Sequence, residues 1–191
     1  APSYQRPTGA PIDALLYYNA IGIFRAQAHV DSYPHISTAR AGEVIFQDVN
    51  TDGQIDGNDI VRSDRTNIPR WTGGINLGVK YGGFDFTALL QGAAGAQTYI
   101  QTESGTIGNF LKSFYDSRWT ESNPDATTPR TFDRGAEYWA SLPNTFWLHS
   151  TDYVRLKNIE LGYSLPSGLI SRAHIQNLRI YQCVRQLIFS V

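Results

Sequence analysis

The sequence predicts an all-β chain, a portion of a transmembrane antiparallel β-barrel with long loops on one side and a short helix in one of them. Three observations lead there. Apolar and polar residues alternate from residue 72 to residue 91, broken only by Gly82-Gly83, and alternate again from 153 to 165. No stretch approaches the ~20 apolar residues a membrane helix needs, whereas a barrel strand needs only alternation over about ten. Aromatics make up 13% of the chain and charged residues only 17%, with 17 glycines to supply turns.

The first forty residues hold Pro2, Pro7, Pro11 and Pro34 around one apolar aromatic stretch, residues 15–24, which reads as extended. Residues 42–47, Gly-Glu-Val-Ile-Phe-Gln, are β-branched and aromatic and read as a strand. An acidic loop follows, and after it residues 60–69 are polar and end at Pro69, so neither flank of the loop is a helix. In the next strand Gly73, Ile75, Leu77, Val79 and Tyr81 share one face, opposite Thr72, Gly74, Asn76, Gly78 and Lys80. Gly82-Gly83 is a tight hairpin signal, and Phe84, Phe86, Ala88 and Leu90 then alternate against Asp85, Thr87, Leu89 and Gln91.

Between residues 98 and 144 the alternation is lost. Ile107, Phe110, Leu111, Phe114, Tyr115 and Trp119 recur at helical intervals, which predicts an amphipathic helix over 107–119. Asn123-Pro124 and Thr128-Pro129 end it. A connection of this length is usually functional or disordered. Phe114, Tyr115, Trp119, Trp139 and Trp147 are its candidates for contact with a ligand or partner, against the plainer reading that they pack the loop upon itself. In the strand that follows, Tyr153, Arg155 and Lys157 occupy one face, but Ile159, Leu161 and Tyr163 continue the same parity, so a bulge is expected near Asn158. Pro166 and Gly168 turn the chain into a last strand candidate, residues 177–191.

The acidic loop carries the sharpest local pattern. In Asp48-Val-Asn-Thr-Asp-Gly-Gln-Ile-Asp-Gly-Asn-Asp59, oxygen-bearing side chains fall at positions 1, 3, 5, 9 and 12 of a calcium loop, with Gly53 at the turning position 6. Asp48, Asn50, Asp52, Asp56 and Asp59 are the candidate ligands, joined by the backbone carbonyl of Gln54. Ile55 is placed to anchor the loop on an apolar surface. Asp59 stands where a bidentate Glu is usual, which weakens the site. Strand-like flanks make this loop, residues 48–59, a structural clip rather than a calcium sensor.

Other function classes fare poorly. A net charge of −1 and a pI near 6.5 give no electrostatic footprint for nucleic acid. Cys183 is alone, so no internal disulfide or cysteine zinc site can form. His29, His35, His149 and His174 are dispersed, and no Gly-x-Ser-x-Gly elbow occurs. An enzyme is not expected. The chain begins at Ala1 without methionine and ends inside a strand candidate, which predicts an excerpt of a longer protein.

The residues in this order resemble the C-terminal part of SusC/RagA-type TonB-dependent transporters of the Bacteroidota. The shared segments are Gly22-Ile-Phe24, residues 42–56, Trp71-Thr-Gly-Gly-Ile-Asn76, Tyr81-Gly-Gly-Phe-Asp-Phe86 with Gln91-Gly92, Arg118-Trp119 followed by Asn123-Pro124, and residues 153–166. The resemblance implies that the whole chain, residues 1–191, is part of the C-terminal β-barrel domain of a 22-stranded cell outer membrane transporter. It also implies import of oligosaccharides or peptides, a SusD-like surface lipoprotein as partner, outer-membrane lipid around the strands, and a TonB complex acting through an N-terminal region absent from this chain. Ca2+ would be a structural cofactor at most. The alternative is a soluble extracellular β module clipped by calcium, dockerin-like or adhesive.

Overall fold

The structure, a computed structural model, describes residues 1–101, 110–131, 137–171 and 174–190, with the backbone alone for 186–190. Its strands are β1 (Leu16–Tyr18), β2 (Ala20–Ile23), β3 (Val44–Phe46), β4 (Ile60–Arg62), β5 (Trp71–Tyr81), β6 (Phe84–Ala94), β7 (Gln97–Tyr99), β8 (Leu148–Ser150), β9 (Tyr153–Ser164) and β10 (Arg179–Ser190). Four short helices intervene: α1 (Gln27–Asp31), α2 (Lys112–Ser117), α3 (Tyr138–Ser141) and α4 (Ser167–Ile170). No helix among the described residues is long and apolar enough to cross a membrane. The chain divides into two compact units, one of residues 1–66 and 98–149 and one of 67–97 and 150–191.

The second unit is a single antiparallel sheet in the order β10-β9-β6-β5, open at both edges among the described residues. β5 and β6 form the expected hairpin, paired without interruption from Trp71 opposite Ala94 to Tyr81 opposite Phe84. Gly82 and Gly83 have φ of +56° and +89°, the left-handed pair that a two-residue turn requires and only glycine adopts cheaply. The sheet has two unlike faces. Trp71, Ile75, Leu77, Val79 and Tyr81 of β5 lie at least half exposed on the same face as Phe84 and Phe86 of β6.

The bulge expected near Asn158 is present. β6 pairs Leu89 with Asn158 and then Leu90 with Leu156, passing over Lys157. One extra residue reverses the parity of a strand. Val154 and Leu156 before the bulge thereby join Ile159, Leu161 and Tyr163 after it on the apolar face. The opposite face is polar and bonded across strands. Arg155 Nη2 donates to Gln91 Oε1 at 2.8 Å, and Arg179 reaches over Gly162 to Asp85 and Glu160. A Cβ at Gly162 would come within 2.5 Å of the Arg179 guanidinium, so the absence of a side chain there is what lets the charges meet.

The first unit is built differently. Its strands are short and pair two by two, β1 with β4 and β2 with β3. Its hydrophobic core gathers Phe24, Val30, Val44, Ile45 and Phe46 from the first 66 residues with Phe114, Tyr138, Trp139, Ala140 and Trp147 from 98–149. The long segment is therefore a partner in a folded unit rather than a free loop. The helix expected over 107–119 is confined to α2 within the described residues, and residues 107–109 lie outside them. Arg118 ends it by turning extended, bridging to Thr128.

Candidate functional site

The acidic loop is built around its own side chains. Asp48 accepts from the backbone N–H of Gly53 at 2.8 Å and of Asp52 at 3.3 Å, Asn50 Oδ1 accepts from Asp52 at 3.0 Å, and Asp56 Oδ1 accepts from Asn58 at 2.7 Å. Asp52 Oδ1 takes the Gln54 N–H at 2.9 Å, and its other oxygen takes the Asn50 amide at 2.8 Å. Asp59 is fully buried, and its two oxygens accept from Val49 and Asp56, each at 2.8 Å, so the last ligand candidate clasps both ends of the loop. Ile55 packs against the aromatic core, the anchoring its position predicts. Gly53 turns the chain at φ +83°. The hard oxygen donors suit Ca2+, but they are engaged with amides, and among the described residues no three His, Cys, Asp or Glu side chains converge into a metal-holding group.

The aromatic candidates divide by burial. Trp139, fully buried, stacks on Trp147 with ring centroids 5.9 Å apart, and Phe114 stacks on Trp147 at 6.4 Å. Trp139 belongs to the core. Phe114 and Trp147 are also buried, yet both line a cavity of about 290 Å3 with Phe146, Ser117, Thr128 and His149. Tyr115 is exposed, with the Arg118 guanidinium 3.6 Å above its ring. Trp119 is half-buried. Its Nε1–H donates to the Arg25 carbonyl at 3.2 Å, and its six-membered ring lies against Gly42, whose φ is +84°.

Two functional-looking features carry no sequence signal or a slight one. Glu43, wholly buried, accepts from the Arg40 N–H at 2.8 Å and its Nε at 3.2 Å, while Arg40 Nη2 holds both oxygens of Glu137, 97 residues away, at 2.6 and 2.7 Å. Burial and the facing Glu137 carboxyl push Glu43 up to about 7. Burial also acts to raise Glu137, but the hydrogen bonds from Glu43 and Arg40 overcome it and hold this carboxyl below its ordinary value. Of the two carboxyls, Glu43 is therefore the one that holds a proton as pH rises from 4.5 towards about 7. Burial and the two nearby carboxylates raise Tyr138, whose hydroxyl donates to the Val44 carbonyl. Arg40 and Glu43 are three residues apart, but nothing local in the sequence joins them to Glu137. Asn144, buried, donates to the carbonyls of Trp139 and Leu142 at 2.6 and 2.8 Å and caps the 3-10 turn Thr145–Trp147 by accepting from Phe146. A Pro-Asn pair before an aromatic run was its legible signal.

No protein-family model matches the chain. It is 25% identical over 165 residues to TonB-dependent receptor P26 of Formosa agariphila, covering 84% of this chain and 16% of that protein. With TonB-dependent receptor P3 of the same organism it is 27% identical over 143 residues, 73% of this chain and 14% of the relative. The RagAB peptide transporter superposes with a TM-score of 0.67 at 21% identity, over 93% of this chain and 19% of that one. The fold is that of the matching fifth of the RagAB transporter chain. The RagAB peptide importer in its 'open-open' and 'closed-closed' states gives TM-scores of 0.62 and 0.63 over the same share. The relatives are described as receptors and the structural neighbours as a peptide importer. The chain spans about a sixth of the length of the receptors it matches, at 16% and 14%.

Proposed function

We propose that the chain is part of an outer-membrane, TonB-dependent importer that takes up oligosaccharides with a SusD-like surface lipoprotein. One observation carries the membrane reading: strands of 11 and 12 residues with an exposed apolar face and an opposite face of cross-strand ion pairs. Such strands, tilted by about 45°, match the ~9–11 residues needed to cross a bilayer, with lipid against one face and a polar lumen against the other. The tight turn Gly82-Gly83 and the longest connection, residues 95–152, lie at opposite ends of β6, as in barrels whose short turns face the periplasm and whose long loops face outward. Residues 98–149 leave from the end of β6 remote from Gly82-Gly83.

Oligosaccharide is favoured over peptide by the cavity of Phe114, Phe146 and Trp147, where aromatic rings share the lining with Ser117, Thr128 and His149, the mix of apolar surface and hydrogen-bonding groups that a sugar presents in return. The RagAB neighbours are described as peptide transporters, so peptide uptake is the competing outcome. Uptake of labelled oligosaccharide by cells carrying the parent protein, lost on deletion of the lipoprotein, tests the reading. Uptake of peptides with none of sugar would overturn the substrate. The acidic loop takes Ca2+ by turning Asp48, Asn50, Asp52 and Asp56 from backbone amides to the ion, with the Gln54 carbonyl added and Asp59 holding the loop closed. Calcium then protects the loop from proteolysis, and Asp48→Ala with Asp52→Ala removes the protection. An absence of calorimetric heat on the intact parent protein sinks this part.

A further inference from the structure

A cavity of about 510 Å3 in the unit of residues 1–66 and 98–149 differs from the aromatic one in its charge. Arg40, Arg118 and Arg130 line it, and among the described residues of the lining the one carboxylate is Glu121. Arg40 is engaged by Glu137 and Glu43. Arg118 uses one nitrogen on the Tyr115 carbonyl and lies over the Tyr115 ring, which neutralises none of its charge. Arg130 has no ion pair of its own among the described residues and acts on Glu137 only at longer range. Among the described residues the lining therefore carries more positive than negative charge. Its volume falls in the range of ~300–1,000 Å3 typical of small-molecule sites.

The same wall carries a fixed ring. Trp119 is held by its hydrogen bond to Arg25 and by contact with Gly42, where a Cβ would collide with Cε3 of the indole. A ring so fixed offers a flat apolar wall at little entropic cost on binding, and the amide of Gln27 stands in the same lining. Two guanidinium groups beside a rigid indole and an amide make a place for an acidic group borne on a ring with hydroxyls. We propose that this cavity binds anionic oligosaccharides, the carboxylate of a uronic acid or the sulfate of a sulfated sugar meeting Arg118 and Arg130 while the sugar ring lies along Trp119. The assignment rests on the importer reading and narrows its substrate class.

Calorimetry on the full-length receptor in detergent tests it with four probes: trigalacturonate, sulfated maltotriose, neutral maltotriose and a C-terminally amidated pentaglutamate. One or both anionic sugars bind at least about tenfold tighter than maltotriose, weaken with added salt, and lose about tenfold with Arg130→Ala but less with Arg130→Lys. The better of the two identifies carboxylate or sulfate. Trp119→Phe, which keeps a ring against Gly42, weakens the sugars and leaves pentaglutamate unaffected. Equal binding of maltotriose, indifference to Arg130→Ala, or binding of pentaglutamate alone overturns the inference. A receptor that assembles in the outer membrane with its lipoprotein yet binds no probe overturns it while leaving the importer reading intact, whereas a parent protein absent from the membrane overturns that reading itself.

Discussion

At single residues, two positions concentrate the constraints of the aromatic unit. Gly42 needs a left-handed φ of +84° and the space that Trp119 fills, so Gly42→Ala meets both backbone strain and a collision with the indole. The expected cost is about 2–4 kcal/mol, read as faster proteolysis of residues 98–149, with Trp119→Ala restoring part of it. Glu43 stays protonated in the fold up to about pH 7, against an ordinary value of 4.5, because burial and Glu137 disfavour its charge. Between about pH 4.5 and 7 the unfolded chain therefore loses this proton while the folded chain keeps it, and stability falls as pH rises. Glu137, held low, contributes in the opposite sense and loses its stabilisation as pH drops below its ordinary 4.5. Glu43→Gln flattens the upper slope and is more stable than the native chain at pH 8, by on the order of 2 kcal/mol; melting temperatures across pH check the sign. Neither residue was legible beforehand, since the groups that give each its role are far away in sequence.

Among the elements, β9 is the one whose sequence displayed its own irregularity. The parity of Tyr153 and Arg155 conflicts with that of Ile159 and Leu161, and the bulge at Lys157 reconciles them. Deleting Lys157 removes the reconciliation and sends one half of the strand's apolar residues to the polar face. Loss of the heat-modifiable gel mobility of a folded barrel is the expected result; unchanged mobility would falsify the two-faced assignment. The acidic loop was equally readable as a conformation, because Asx side chains and Gly53 act locally. Its anchor at Ile55 is separable from any metal. Ile55→Ser removes an apolar contact worth roughly 1–2 kcal/mol and accelerates cleavage within 48–59 whether or not calcium is present. The helix expected over 107–119 was harder to delimit, since aromatic spacing alone does not reveal where Arg118 leaves to meet Thr128.

At the level of the whole molecule, the two function classes left open by the sequence make different demands on the parent protein. An importer pellets with outer membranes and is extracted only by detergent. A calcium-clipped adhesive module stays in the aqueous fraction, and finding it there would remove the transporter. Extension of the reading frame in both directions separates them equally well, by a plug and further alternating strands in the first case. Alternation, glycine sterics and Asx turns act between neighbours a few residues apart, so the long strands, the Gly82-Gly83 hairpin, the bulge and the loop pattern were written in the chain before any folding. Folding was needed to show that residues 98–149 pack onto the first 66, that Trp139 is core while Trp119 borders a cavity, and that Arg40 bridges Glu43 and the distant Glu137. Those outcomes depend on burial and charge between segments far apart in the chain, which no local pattern of residues encodes.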